Sequence, residues 1–344
     1  MSAFPLPVET TRPMEARLVE ELPTDEGWQF EPKWDGFRCL AFKSGKDVDL
    51  RAKSGKPLAR YFPDVVEKVR AMKAKEFVVD GELIIVDEGA LSFEALQLRL
   101  HPAASRVAKL VAAQPAQLLL FDCLAVGKKS LRKAPLTERR AALEKLVGDG
   151  APGICLSPFT REVKDARKWL KQTGRALDGV IAKRLDGAYI EGERAMLKVK
   201  RLRTADCVVG GFRYASNSDE VGSLLLGLYD DNGLLHHVGY TSTITNAERE
   251  ALTKRLEKLR GGAGFTGRAP GGPSRWSTER TGEWEPLKPK LVVEVRYDHV
   301  GDDRFRHGAK LMRWRPDKAP AQCTFDQLKP PARPAEVASL LRGM

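Results

Sequence analysis

The sequence predicts a two-domain α+β protein, in which a domain of antiparallel sheets with flanking helices precedes a small β-barrel. The chain has 344 residues, and domains of about 150 residues are usual, so two are expected. Apolar residues make up 42% and charged residues 30%, which suffices for a hydrophobic core and argues against disorder. Near Arg203 the pattern changes from strands mixed with helices to short strands with a single helix.

In the first domain, runs of apolar and β-branched residues predict strands, and helical periodicity predicts helices. The strands are predicted at 76–86, 117–126, 179–183 and 196–201, with short strands between 34 and 49. The helices are predicted at 92–100, 137–147 and 163–173; Pro135 and Gly148 bound the second of these. The stretch before Pro32 is expected to be irregular.

In the second domain, strands are predicted at 208–214, 223–229, 234–241 and 291–297. Asp231-Asn232-Gly233 is a hairpin signal. One helix is predicted at 247–259, with Asn246 as its N-cap. Short strands with one helix over about 125 residues are typical of a small β-barrel.

The chain carries 58 basic and 46 acidic residues, a net charge of +12. Nucleic acid is the commonest partner of such a basic chain. No apolar run approaches the ~18 residues that cross a bilayer, and the amino terminus lacks a secretion-signal pattern. The five cysteines are dispersed, without a CxxC pair, which favours a reducing cytosol over a zinc or disulfide framework. The expected location is the cytoplasm, at the nucleoid if the protein is bacterial.

The strongest chemical signal is the segment Glu31-Pro32-Lys33-Trp34-Asp35-Gly36-Phe37-Arg38. A lone lysine is normally a solvated surface group. Lys33 lies beside apolar residues such as Trp34, and a lysine in partly apolar surroundings can lose its proton and act as a nucleophile. Gly36 permits close approach of the backbone, and Arg38 could bind a phosphate or a sugar.

Carboxylates and further lysines follow on predicted strands. Alternation places Asp80 and Glu82 on one face, and paired carboxylates suit a hard cation such as Mg²⁺. Asp178 leads into an apolar strand and is a candidate second metal ligand. Lys198 and Lys200 share a face and would favour a phosphate between them. Each segment alone is more often a solvated strand edge.

Together these segments occur in the motif order of one family. The sequence resembles the covalent nucleotidyltransferases, the superfamily of ATP-dependent DNA ligases, RNA ligases and mRNA-capping enzymes. The matching segments, from motif I to motif VI, are Lys33–Arg38, Arg51, Asp80–Glu82, Phe121–Asp122, Asp178–Val180, Leu197–Lys200 and Arg313–Lys318. The KWDGFR and WRPDK segments and the short length most resemble the small stand-alone bacterial DNA ligases of the C type.

The resemblance implies a nucleotidyltransferase (adenylation) domain at residues 1–203, an OB-fold β-barrel at 204–330 and a C-terminal tail at 331–344. It implies an ATP-dependent DNA ligase that seals 5′-phosphate/3′-hydroxyl nicks in DNA repair, through a covalent lysine-AMP and a DNA-adenylate. The implied cofactors are ATP and Mg²⁺ or Mn²⁺. The implied partner is nicked double-stranded DNA, with end-binding or repair proteins as further candidates. No membrane is expected to be involved, and the protein is expected to be a monomer.

Roles for individual residues follow from the same resemblance, with Lys33 as the nucleophile. Nucleotide binding is assigned to Glu31, Arg38, Arg51, Glu82, Phe121, Lys198, Lys200, Arg315 and Lys318, and metal binding to Glu82 and Asp178. Phe121 would stack on adenine. Arg315 and Lys318 would orient the β- and γ-phosphates in the first step only. Many members of the superfamily have Glu where this chain has Asp178, which is one methylene shorter.

Three other functions share parts of this pattern. An RNA ligase and a GTP-dependent capping guanylyltransferase would have the same lysine and carboxylates, and the WRPDK segment favours the DNA ligases over both. A non-catalytic nucleic-acid-binding protein of the same fold is a remote alternative, because the nucleophile, the carboxylates and the phosphate-binding lysines are all intact.

Overall fold

The computed structural model describes residues 4–87, 89–148, 152–171, 177–200, 203–271, 283–298 and 300–328. These residues divide into two compact units, which meet in sequence between residues 200 and 203. The predicted domain boundary at 203/204 falls one residue into the first strand of the second unit. The predicted tail at 331–344 lies outside the described residues.

Within its described residues the first unit contains twelve strands, five α-helices and a short 3₁₀ helix at Ala59–Tyr61. The strands are β1 (Ala16–Leu18), β2 (Trp28–Lys33), β3 (Phe37–Ser44), β4 (Asp47–Ala52), β5 (Glu76–Ile84), β6 (Val86–Asp87), β7 (Ala90–Leu91), β8 (Gln117–Val126), β9 (Lys129–Ser130), β10 (Ile154–Leu156), β11 (Gly179–Arg184) and β12 (Met196–Val199). The helices are α1 (Pro63–Ala71), α2 (Phe93–Arg99), α3 (Ala104–Ala113), α4 (Leu136–Val147) and α5 (Val163–Lys171).

Two sheets form the frame of this unit. One has the strand order β1-β12-β11-β2, and the other has the order β10-β8-β5-β3-β4. All neighbouring pairs are antiparallel except β1 with β12 and β10 with β8. The prediction of antiparallel sheets with flanking helices is confirmed. The stretch before Pro32 is not irregular throughout, because β2 pairs with β11 over its whole length.

The second unit contains one main sheet, one helix and a small hairpin. Its strands are β13 (Arg203–Tyr214), β14 (Val221–Tyr229), β15 (Leu235–Thr241), β16 (Glu285–Pro286), β17 (Val292–Tyr297), β18 (Val300–Gly301), β19 (Arg304–Phe305) and β20 (Lys310–Trp314), and its helix is α6 (Asn246–Glu257). The main sheet has the order β15-β14-β13-β17-β20. Within the described residues β15 and β20 do not pair with each other, so the predicted closed barrel is not observed.

The start of α6 differs from the prediction by one residue. Thr245, not Asn246, is the N-cap. The backbone N–H and the hydroxyl of Thr245 both donate to the Glu248 carboxylate, at 3.2 and 2.5 Å. The acid three residues after the cap is the capping-box signature, which the sequence-based choice of Asn246 overlooked.

A buried ion pair links α4 to β8, which lies between β10 and β5 in its sheet. The Arg139 guanidinium donates to both carboxylate oxygens of Asp122, at 2.7 and 3.2 Å, and each side chain is only 1% exposed. Arg139 also donates to the carbonyls of Ala134 and Gly187, at 2.7 Å each. Each nitrogen of the guanidinium therefore has an acceptor, which is the condition under which a buried charge is tolerated.

No helix within the described residues is long and apolar enough to cross a membrane. All five cysteines are free thiols.

Removing one member of the buried pair should destabilise the first unit strongly. Arg139→Met leaves the Asp122 carboxylate buried beside an apolar side chain, and we expect a loss of about 3–5 kcal/mol in the free energy of unfolding. Urea unfolding monitored by tryptophan fluorescence measures it. The control is Lys168→Met, which removes an exposed pair with Asp165 and should cost about 1 kcal/mol or less. Equal losses in the two variants would contradict this assignment.

Candidate active site

Lys33 is the last residue of β2 and lies immediately before a tight turn into β3. The turn must contain glycine at position 36, because a Cβ there would lie 2.1 Å from the carbonyl oxygen of Leu83 and 2.9 Å from the side chain of Glu82. Trp34 is buried, and its indole N–H donates to the Ser157 hydroxyl at 2.8 Å. The lysine therefore projects from a backbone that is held on both sides of the turn.

Asp178 holds two ammonium groups at once. Its Oδ2 atom forms an ion pair with the Nζ atom of Lys33 and a second one, at 3.0 Å, with the Nζ atom of Lys200. The Asp178 backbone N–H donates to the Lys33 carbonyl at 2.7 Å. An amine attacks only in its neutral form, so Lys33 must leave this ion pair before it can react.

Lys198 adds a further positive charge beside the pair. Burial, together with the neighbouring charges of Lys33, Lys200 and Lys53, lowers the pKa of Lys198. Burial and the neighbouring lysines both disfavour the charged form of Lys198, and Asp178 opposes them. An anion placed among these lysines would relieve the repulsion.

Arg38 is held by a buried acid on β5. It donates through Nε and Nη2 to the two carboxylate oxygens of Asp80, at 2.5 Å each, and the Asp80 side chain is fully buried. The hydroxyl of Tyr189 donates to the same carboxylate at 2.5 Å. The guanidinium lies 4.6 Å from the ring centre of Phe121. Asp80 is thus a partner of Arg38, and of the acids suggested for a metal on this strand only Glu82 faces the site.

Glu82 is the unusual acid of the site. Burial raises its pKa from 4.5 to about 7, although the nearby charges of Lys33 and Arg38 act in the opposite direction. A carboxyl group with this pKa changes its charge near neutral pH. Perturbed acids of this kind are concentrated at functional sites.

Two adjoining recesses meet at this cluster. The first, of about 70 Å³, is lined by Glu31, Phe121 and Lys183 among others; the second, of about 210 Å³, is lined by Glu15, Lys53 and Lys198 among others. Both recesses share Lys33, Arg38, Glu82, Ile181 and Met196. The first recess therefore contains an aromatic ring and a lysine paired with an acid, and the second contains more basic than acidic side chains.

The first recess is closed by a chain of buried charges. Lys183 donates to the Phe121 carbonyl at 3.2 Å and forms an ion pair with Glu31 at 2.8 Å. Its ammonium group also lies 4.7 Å from the Phe121 ring centre. The second oxygen of Glu31 accepts a hydrogen bond from the Gln29 amide at 2.8 Å. The Phe121 ring thus has a cation close to it from both Arg38 and Lys183.

The remaining predicted residues lie elsewhere. Arg51 does not line either recess; its guanidinium pairs with Asp49 at 2.7 Å and donates to the Gly55 carbonyl at 3.3 Å. Arg315 and Lys318 belong to the second unit, where both form ion pairs with Asp206.

Sequence reasoning assigned no role to three residues that the structure places here. Lys183 and Lys53 each line a recess, and Tyr189 donates to Asp80, the partner of Arg38. Lys183 carried a usable signal, because it shares a strand face with the apolar Ile181, and a lysine on such a face has to find a buried partner. Tyr189 carried none, since its bond to Asp80 joins residues 109 positions apart.

Comparison with known proteins agrees with this arrangement. Residues 13–200 match the family described as ATP dependent DNA ligase domain, and residues 217–318 match the ATP dependent DNA ligase C terminal region. The chain belongs to the ATP-dependent DNA ligases. It is therefore a ligase enzyme that uses ATP.

Individual ligases resemble the chain over nearly its whole length. DNA ligase C2 of Mycolicibacterium smegmatis is 44% identical, covering 95% of this chain and 96% of the relative. DNA ligase C of Mycobacterium tuberculosis is 43% identical, covering 93% and 94%. Among solved structures, a mycobacterial DNA ligase D complexed with ATP and MES is 25% identical with a TM-score of 0.50, covering 93% and 99%.

The raised pKa of Glu82 gives the ligase a pH-dependent stability. Between about pH 4.5 and 7 the folded protein holds a proton that the unfolded chain releases, so this residue lowers the free energy of unfolding as the pH rises through that window. Glu82→Gln removes the titration.

The free energy of unfolding of Glu82→Gln minus that of wild type should therefore increase from pH 4.5 to 7 and then level off. Urea unfolding at half-unit pH steps measures the difference. Glu82→Asp keeps a titrating carboxyl group and should show a smaller change. A difference between Glu82→Gln and wild type that does not vary with pH would contradict the raised pKa.

Proposed function

We propose that this ligase seals 5′-phosphate/3′-hydroxyl nicks in duplex DNA during repair, with Lys33 as the residue that carries AMP. One observation supports this most directly. Lys33 lies at the junction of an aromatic recess and a basic recess, beside Lys198, Lys200 and two carboxylates. A nucleotide needs this pairing of environments, because its base is aromatic and its phosphates are anionic.

In the first step the neutral Nζ atom of Lys33 attacks the α-phosphorus of ATP. A P–N bond forms, the bond from the α-phosphorus to the bridging oxygen breaks, and pyrophosphate leaves with the electron pair. The amine proton passes to solvent. Asp178 holds Lys33 until then, and Lys200 can keep the Asp178 carboxylate paired when Lys33 leaves. We assign the α-phosphate to Lys198 and Lys200, which lie beside Lys33.

The first recess suits the base. Phe121 supplies an aromatic face, and we assign adenine to it. Glu31 and Lys183 offer a hydrogen-bond acceptor and donor at the recess end. We assign the ribose to Arg38 and Glu82, because both residues line the two recesses.

Two more transfers complete the reaction. The 5′-phosphate oxygen at the nick attacks the lysine-AMP phosphorus, the P–N bond breaks, and Lys33 is regenerated. The 3′-hydroxyl then attacks the 5′-phosphorus, AMP leaves, and the strand is joined. Arg38 and Arg51 are the candidates for holding the 5′-phosphate. Each step is a phosphoryl transfer that depends on position and charge neutralisation rather than on an acid–base relay.

The carboxylates of Glu82 and Asp178 fit Mg²⁺ or Mn²⁺ by their chemistry. Among the described residues there is no cluster of three or more metal-ligating side chains. Mg²⁺ commonly uses one or two carboxylates together with substrate phosphates and water, so two acids are enough. A bound cation would supply charge neutralisation at the phosphates.

We propose that the second unit is an OB-fold domain that contributes Arg315 and Lys318 to the β- and γ-phosphates during the first step. Arg304, Arg306 and Lys310 are candidate contacts for the DNA backbone. We expect the ligase to work in the cytoplasm, and end-binding or repair proteins are candidate recruiting partners.

Covalent label transfer tests the proposed function. The purified chain, with Mg²⁺ and ATP labelled at the α-phosphate, should become labelled, and the label should move to the 5′ end of nicked DNA. Lys33→Ala should lose at least about 10³-fold of the labelling, because the attacking group is absent. Lys183→Met is not a suitable control, since it lines the recess; Lys168→Met, on the exposed face of α5, should label normally.

The other outcomes identify the rivals. Label from GTP alone would indicate capping chemistry, and transfer to an RNA nick in preference to DNA would indicate an RNA ligase. A chain that takes no label from either nucleotide, after any preformed adenylate has been removed with pyrophosphate, would contradict the proposal.

A further inference from the structure

Arg315 and Lys318 share one acidic partner in the second unit. Arg315 Nη1 lies 2.8 Å from Oδ1 of Asp206, and Lys318 Nζ lies 3.4 Å from Oδ2 of the same residue. The Asp206 side chain is only 12% exposed. Its two oxygens therefore face one cation each, and Asp206 separates two like charges that would otherwise repel each other.

The position of Asp206 is fixed by its backbone. On one side β13 pairs with β17, where Asp206 lies opposite Glu294. On the other side the pairing of β13 with β14 begins only at Val208. At Asp206 the Gln327 side chain makes the hydrogen bonds that a neighbouring strand would make. The Asp206 N–H donates to the Gln327 amide oxygen at 2.9 Å, and the Gln327 amide donates to the Asp206 carbonyl at 3.1 Å.

A second acid orients Arg315 but not Lys318. Asp317 accepts hydrogen bonds from Nε and Nη2 of Arg315, at 2.9 and 2.8 Å. With Nη1 on Asp206, three nitrogens of the guanidinium have fixed partners. The Asp317 side chain is 62% exposed, and Asp317 lies only two residues after Arg315 in the chain. Asp206, in contrast, is part of a paired strand. Asp206 is thus the group that relates the two cations to each other.

We propose that Asp206 is a positioning residue for lysine adenylylation: it holds Arg315 and Lys318 as a preset pair for the β- and γ-phosphates of ATP. This inference rests on the proposed role of those two cations. Because the two cations are already held together, triphosphate binding does not have to overcome their mutual repulsion. It also loses less conformational entropy of the two long side chains. The two later steps involve no β- or γ-phosphate and do not need the pair. The influence of Asp206 is therefore confined to the first step.

The experiment measures the first and the last step separately. Single-turnover labelling at varied ATP concentration gives the KM for ATP and the maximal rate of lysine adenylylation, and sealing of a pre-adenylylated nick reports the last step alone. For Asp206→Asn we expect kcat/KM of adenylylation to fall roughly 10- to 100-fold, the range for loss of charge-assisted hydrogen bonds. Most of that change should be in KM, and sealing of the pre-adenylylated nick should stay within about twofold, because no triphosphate is bound there.

Two variants serve as controls. Glu250→Gln removes an acid of α6 that pairs with Lys254 at 2.6 Å, and should leave both steps within about twofold, as expected for an exposed pair. Asp206→Glu keeps the carboxylate and should recover part of the adenylylation rate. If Asp206→Asn fails to fold, Asp206→Glu carries the test, because the displaced carboxylate should still raise the KM for ATP selectively.

A double-mutant cycle completes the test. In an Arg315→Ala/Lys318→Ala background, Asp206→Asn should cause no further loss of adenylylation, since the pair it positions is absent. Equal losses in both steps would overturn the proposal in favour of a general structural role. Unchanged adenylylation, or adenylylation that is faster because the cations are released, would also overturn it. A wild-type chain that takes no label at all contradicts the proposed function instead.

Discussion

The active site depends on keeping several positive charges close together in partly dry surroundings. Each cation has to be held by an opposite charge until an anionic substrate replaces it. Asp178 does this for Lys33 and Lys200, and Asp80 does it for Arg38. Lys33 ends β2, Asp178 immediately precedes β11 and Lys198 lies on β12, so the pairing of β11 with β2 and with β12 brings these charges together.

The same arrangement recurs in the second unit. Asp206 lies between Arg315 and Lys318 much as Asp178 lies between Lys33 and Lys200. In both places one carboxylate serves two cations, through the single Oδ2 atom at Asp178 and through one oxygen for each cation at Asp206. A phosphate group has the same charge sign and the same kind of acceptor oxygens, so it can take over these contacts with little rearrangement of the donors.

Helices and strands with a strong local sequence pattern were predictable, and elements that depend on long-range pairing were not. Helix α4 and strand β8 were predicted almost to the residue, because apolar periodicity and turn residues are local signals. Helices α1 and α3 were missed, although Pro63 at the first position of α1 is a helix-start signal. Strand β2 was missed because its extended form depends on pairing with β11, about 150 residues later in the chain.

The sequence by itself determined the chemistry available, since the order and types of Lys33, Glu82, Asp178, Lys198 and Lys200 are enough to indicate a phosphoryl-transferring nucleotidyltransferase. Only the tertiary structure decided which charges are partners. Asp80 pairs with Arg38 and does not face the site, and Lys183 lies beside the Phe121 ring. Asp206 forms ion pairs with both Arg315 and Lys318. The physical reason is that ion pairing depends on distances of a few ångströms between residues far apart in sequence, which composition and periodicity do not encode.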